Sequence, residues 1–180
     1  MNWSKEFVEL DKNIHDRGAF DCGEQELNTF IQTQAAKHMT VGISRTLLLP
    51  AENVLPNGRF PICSFYTIAP GSIERKTLPE MLSKKLPHYP VPVPVFLLAQ
   101  LAVDVKCLNR GLGKITLIKA LENLWRINSR MRAYAVIVDC LNENAKQFYE
   151  NFGFEILYGH NERIRMYIRM NTISQLFKIS

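Results

Sequence analysis

The sequence predicts a mixed α/β (α+β) fold, and three observations carry that prediction. Short apolar runs of strand character alternate with segments whose apolar residues recur at helical spacing. One run, Val95–Val103, is almost continuously apolar, the signature of a central strand covered on both faces. That run passes through a short glycine loop directly into a helix-spaced segment, the strand–loop–helix order of α/β layers. The 180 residues suit one compact domain spanning 1–180, with neither internal repeat nor long linker.

Each element follows from local pattern. Phe7–Leu10 reads as a short first strand. Asp21 with Glu24 three residues later fits a capping box, and Leu27, Phe30 and Ile31 then share a helical face that ends at Gly42. Ile43–Leu49 and Phe60–Ala69 read as strands around a turn-rich Pro50–Gly58, the second stopped by Pro70-Gly71. A short helix begins near Leu78-Pro79, and Pro87, Pro90, Pro92 and Pro94 impose an extended approach to the central strand. The next helix runs from Gly111 to about Ile127, with Ile115, Ile118, Leu121 and Trp125 facing the core. Tyr134–Val138 is a buried strand. Asn142 caps a helix in which Ala145, Phe148, Tyr149 and Phe152 share a face and which Gly153 terminates. Strands follow at Phe154–Tyr158 and Ile164–Met170, and Ile173, Leu176 and Phe177 form a final helical stripe. That stripe docks on the body or on a second subunit.

Composition excludes several classes. Apolar residues make up 47% and charged residues 22%, as in an ordinary globular protein. No apolar run reaches the roughly 20 residues of a membrane helix, and Met1–Glu6 lacks the pattern of a secretion signal. A cytoplasmic protein without a membrane partner is expected. Cys22, Cys63, Cys107 and Cys140 are far apart, as are His15, His38, His88 and His160, so no metal-ligand spacing occurs. Reduced thiols and no metal are expected. The net charge of +5 and pI of about 9.1 fit a polyanionic partner, but they equally fit a solvated basic surface. The basic residues are spread out, apart from Lys84-Lys85 and the looser group Arg163, Arg165 and Arg169.

The segment Asn109-Arg110-Gly111-Leu112-Gly113-Lys114 holds the most chemical information. Glycines let a backbone approach a ligand closely, and the unsatisfied N–H groups at a helix start favour an anion. Arg110 and Lys114 add positive charge, so a pyrophosphate is well matched. The loop alone is equally explained as a helix start that needs small residues. It lacks the P-loop spacing, and Thr116 stands where a dinucleotide fingerprint needs its third glycine.

L-A-V-D at Leu101–Asp104, R-G-x-G at Arg110–Gly113 and N-x-x-A-x-x-x-Y at Asn142–Tyr149 together resemble the GNAT acetyltransferase superfamily. F-D-C-G-E at Phe20–Glu24, S-R-T at Ser44–Thr46 and A-P-G-S-I-E-R at Ala69–Arg75 narrow the resemblance to the GNAT toxins of toxin–antitoxin pairs. The resemblance implies a mostly antiparallel central sheet flanked by helices. It also implies transfer of acetyl from acetyl-CoA to the α-amino group of aminoacyl-tRNA, which blocks translation. A small DNA-binding antitoxin and a homodimer are the further implied partners.

Carried onto this chain, the resemblance places pyrophosphate on Asn109, Arg110, Gly111, Leu112, Gly113 and Lys114. The pantetheine arm falls along the backbone of Leu101, Ala102 and Val103, with Asn142 in contact with the cofactor. Tyr149 becomes the general acid at the thioester sulfur, where an O–H donor stabilises a departing thiolate. A backbone N–H near Leu101 would polarise the carbonyl, and no single side chain stands out as base. Taken without the resemblance, the residues favour a buried structural aromatic for Tyr149, and Asn142 is a helix cap to which cofactor contact would be additional. Arg45, Arg75, Lys84 and Lys85 are the candidates for contact with the tRNA acceptor stem. The family pattern has Gln or Arg where Leu108 stands and often Gly where Asn109 stands, so a weaker cofactor grip is expected. The alternatives are a GNAT enzyme for a small-molecule amine or protein N-terminus, and a non-catalytic CoA- or RNA-binding module.

Overall fold

The computed structural model describes residues 1–88, 92–160 and 162–178; Pro90 of the expected extended approach lies outside them. Its strands are β1 (Val8–Glu9), β2 (His15–Asp16), β3 (Arg45–Pro50), β4 (Phe60–Ile73), β5 (Val93–Val103), β6 (Ala135–Cys140), β7 (Glu155–His160) and β8 (Arg163–Arg169). The sheet order is β1-β3-β4-β5-β6-β8-β7, with β2 pairing with β4 off this path. Among the pairings with a described register, β5 with β6 and β2 with β4 are parallel and the others antiparallel. The chain divides into two compact units, Met1–Ala69 with Leu98–Leu121 and Pro70–Leu97 with Glu122–Ser180.

In the first unit, α1 (Gln25–Thr29), a π-helical turn (Phe30–Gln34) and α2 (Ala35–Thr40) form one interrupted helical segment. Phe30, Ile31 and Ala35 from it pack with Phe20, Leu48, Ile62 and Phe65 into a core cluster. The capping box does not form. Glu24 is the N-cap and makes no side-chain cap bond. The Asp21 carboxylate instead accepts from the Gly23 N–H and from the side-chain amide of Asn28. Asn28 is buried one turn into the helix, and a buried amide needs its partners.

α4 (Leu112–Asn128) also corrects the sequence reading. Leu112, Leu117, Ala120, Leu121 and Leu124 are buried, whereas Ile115 and Ile118 are 40% and 38% exposed. Apolar residues cover two faces of this helix, so spacing alone could not orient it. Thr116 decides: its hydroxyl is fully buried, donates to the Ser64 hydroxyl of β4 at 2.9 Å, and turns that side inward.

In the second unit, β6, β8 and β7 form an antiparallel ladder, with Ile73, Leu78, Val95, Ala135, Ile137 and Tyr167 in one cluster. β4 does not stop at Pro70-Gly71 but continues to Ile73. Pro70 is exposed there, and a Cβ at Gly71 would lie 3.3 Å from Val95 Cγ2, so glycine admits a close strand neighbour. α3 (Glu80–Ser83) starts after Pro79, as the proline predicted. α5 (Glu143–Glu150) is followed by Gly153 at φ +82°. α6 (Met170–Phe177) buries Ile173 completely and stacks Phe177 on Trp125 at 5.6 Å, so these two residues of the terminal stripe dock on their own unit, whereas Leu176 is exposed. Among the described residues, no helix is long and apolar enough to cross a membrane.

Candidate active site

The glycine loop lies between β5 and α4 and is fixed at its entry by Asp104, the last residue of L-A-V-D. Asp104 is 2% exposed, and each of its carboxylate oxygens has a task. Oδ1 accepts from the Lys106 N–H at 2.9 Å, starting a short 3₁₀ turn over Val105–Cys107. Oδ2 accepts from the Asp21 N–H at 3.1 Å, and the Val105 N–H returns a bond to the Asp21 carbonyl. Asn28 completes the network: its side-chain oxygen accepts from the Cys22 N–H while its amide donates to Asp21. The Phe20–Glu24 motif, read from the sequence only as a helix start, is thus the brace of the loop. Separation hid this, because Asp21 and Asp104 are 83 positions apart in the chain.

Beyond the 3₁₀ turn the backbone twice enters the left-handed region, at Asn109 (φ +60°) and Gly111 (φ +74°). Asn is among the few residues with a side chain that settle there readily, so it replaces glycine at small cost. A Cβ at Gly111 would meet nothing within 4 Å, so conformation and not crowding calls for glycine there. α4 begins at the next residue, and its first-turn N–H groups have no intrahelical acceptor. With the helix dipole and the exposed Arg110 and Lys114, this donor set fits a pyrophosphate. Upstream, the described register of β5 with β6 is brief, Phe96 opposite Val136 and Leu97 opposite Ile137. The backbone of Leu101, Ala102 and Val103 continues outside that ladder and is suited to pair with an extended amide-bearing arm.

In the second unit, Asn142 caps α5 by accepting from the Ala145 N–H at 2.9 Å. Tyr149 is 8% exposed, its ring set between Phe148 and Phe154 at centroid distances of 5.2 Å each. Burial raises its pKa far above the ordinary phenol value, with the nearby Cys140 adding to the effect. The phenol therefore stays protonated at neutral pH, the state a general acid needs. Cys140 is itself pushed up to about 11 by burial and by Asp139, and is an unreactive thiol.

No family model matches the chain. The curated tRNA-acetylating toxin of Mycobacterium tuberculosis is 32% identical over 141 residues, covering 78% of this chain and 79% of that protein. The chain belongs to the GNAT family of tRNA-acetylating toxins. Solved structures agree. AtaT complexed with acetyl-methionyl-tRNAfMet has a TM-score of 0.82 at 28% identity, covering 96% of this chain and 98% of that one. AtaTR bound with AcCoA has a TM-score of 0.81 at 28% identity, covering 96% and 97%.

Against the toxin family's pattern, Leu108 is the departure that remains. Its side chain is 47% exposed and offers no donor to an anion. The four acceptor-stem candidates are not gathered within one unit. In the first, Arg45 pairs with Glu9 at 3.6 Å, both largely exposed. In the second, Arg75 spends its guanidinium on the fold, donating to the carbonyls of Ser83, Leu86 and Pro87 and so closing the turn after α3. Lys84 pairs with Glu80 at 2.5 Å on the surface, and Lys85 is exposed.

Proposed function

We propose that this chain is a toxin that transfers acetyl from acetyl-CoA to the α-amino group of aminoacyl-tRNA and so blocks translation in the cytoplasm. The observation that carries it is the strand–loop–helix of residues 101–114, with two left-handed residues leading into a 17-residue helix. That arrangement offers backbone N–H groups and two cations to a pyrophosphate, and the β5 backbone beyond the described β5–β6 register to the pantetheine arm. Membership of the toxin family, and the ligands of the AtaT structures, supply the substrates.

Acetyl-CoA presents the thioester whose carbonyl the amine attacks. Leu101 and Val103 orient the pantetheine amides. Tyr149, held neutral by burial, donates its proton to the sulfur as the C–S bond breaks. The amine attacks in its neutral form and releases its proton to water, and the Tyr149 phenolate takes a proton back from water to restore the acid. Arg45, Lys84 and Lys85 serve the acceptor stem through screened, salt-dependent attraction. Arg75 shapes the segment that carries the two lysines. A small DNA-binding antitoxin neutralises the toxin.

Incubation with acetyl-CoA and a mixed aminoacyl-tRNA pool is expected to yield N-acetyl-aminoacyl-tRNA, read by chromatography of the released amino acids. Turnover of polyamines or peptides with no such product would overturn the assignment.

A further inference from the structure

The N-terminal residues sit against the glycine loop. Arg110 donates from Nη1 to the Met1 carbonyl at 2.6 Å, and its guanidinium carbon lies 4.1 Å from the centroid of the Trp3 ring. The Trp3 platform is itself fixed. Trp3 bridges Ala51, the Ser4 N–H donates to the Pro50 carbonyl, and the Glu52 N–H donates to the Asn2 carbonyl. Met1 and Trp3 pack on a buried cluster of Leu49, Ala51, Cys63, Cys107 and Leu112, two of which bracket the loop. The Cys107 thiol also reaches the Met1 carbonyl at 3.9 Å.

Such anchoring is more than an exposed arginine needs for solubility. A free Arg side chain has many rotamers, and a planar guanidinium stacked on an indole has few. One Nη1 proton is spent on Met1 out of the five N–H donors that a guanidinium carries. The rest of the fork remains for an anion.

We propose that Trp3, with the Met1 carbonyl, is a positioning platform that holds Arg110 ready for the pyrophosphate of acetyl-CoA. The N-terminal segment is thus part of the cofactor site, although it contributes no group to the reaction. This inference rests on the proposed acetyl-CoA reading of the loop. Trp3 acts through Arg110, so its effect belongs to the binding of donors that carry a pyrophosphate and not to transfer itself.

The test compares acetyl-CoA with acetyl-pantetheine, which has the same thioester but no pyrophosphate. Trp3→Leu keeps apolar bulk and removes the π face. It is expected to raise KM for acetyl-CoA about three- to fivefold with kcat held, the weight of one partly exposed cation–π contact. Trp3→Phe is expected to recover most of that loss. kcat/KM for acetyl-pantetheine should change less than twofold in both variants, and Arg110→Ala with Trp3→Leu should be no worse than Arg110→Ala alone. Equal losses with both donors, or additive losses in the double variant, would overturn the proposal by showing plain structural damage. Should Trp3→Leu fold poorly by circular dichroism, Trp3→Phe against Arg110→Lys gives the same comparison. Wild-type protein that turns over neither donor would refute the acetyltransferase reading instead, a different outcome from a Trp3 variant indistinguishable from wild type.

Discussion

The glycine loop and the Tyr149 helix are built by opposite means, and the proposed roles of each follow from that difference. The loop relies on backbone: two left-handed residues, a helix start and a buried carboxylate aim N–H groups outward, whatever side chains decorate them. Tyr149 relies on a single phenol, kept buried and neutral among aromatic rings. A backbone cradle tolerates changed side chains as long as its φ angles survive. In the proposed mechanism Tyr149 is a lone proton donor, and such a donor tolerates nothing that removes its oxygen. The departures Leu108 and Asn109 fall in the tolerant region, and the tyrosine falls in the intolerant one.

The sharpest way to break this contrast is Tyr149→Phe. Acetyl transfer is expected to fall about 100-fold or more, as for loss of a general acid, while calorimetric affinity for acetyl-CoA stays near wild type. Transfer at the wild-type rate would end the general-acid role. The pKa shift gives the same residue a second signature. Its folded-state pKa is raised, so the native state holds the proton after the unfolded chain releases it near pH 10. Stability is then full below about pH 10 and declines above it. Thermal denaturation at pH 9 and pH 11 should show a smaller decline for the phenylalanine variant.

Next in size is the brace. Asp104→Ala orphans two N–H groups and is expected to cost roughly 1–3 kcal/mol of stability. Denaturant titration measures that, and weaker acetyl-CoA binding should accompany it. Gly111→Ala forces a side chain into the left-handed region at about 1–2 kcal/mol, so acetyl-CoA affinity should fall about tenfold with kcat largely held. An unchanged affinity would mean that the loop geometry is not what binds.

The smallest effects belong to the departures. Leu108→Arg adds an exposed cation and should tighten acetyl-CoA roughly two- to fivefold, in keeping with an exposed ion pair. Asn109→Gly should change affinity less than about twofold, because asparagine already accepts its φ. A large gain from either would shift weight from backbone to side chain and undo the contrast.

Much of the chemistry was legible in local sequence. The Leu101–Lys114 order and the Asn142 cap are encoded by residues close together in the chain, and the structure keeps both. Harder to read were features that depend on which distant surfaces meet. α4 offered two apolar faces, and the buried hydroxyl of Thr116 against Ser64 chose the one that leaves Ile115 and Ile118 exposed. β4 ran through a Pro-Gly pair that local rules would end, because a close strand neighbour favoured glycine.

By itself, then, the sequence determined the mixed α/β class, the loop with its glycines and cations, and a tyrosine on an aromatic helix face. These are set by spacing and by intrinsic φ preference, which act over a few residues. Only the tertiary structure decided that Asp21 and Asn28 serve Asp104 and that Trp3 and Met1 seat Arg110. Hydrogen bonds and ring contacts between residues up to 109 positions apart leave no periodic trace in the chain, since they form only once folding has brought those surfaces together.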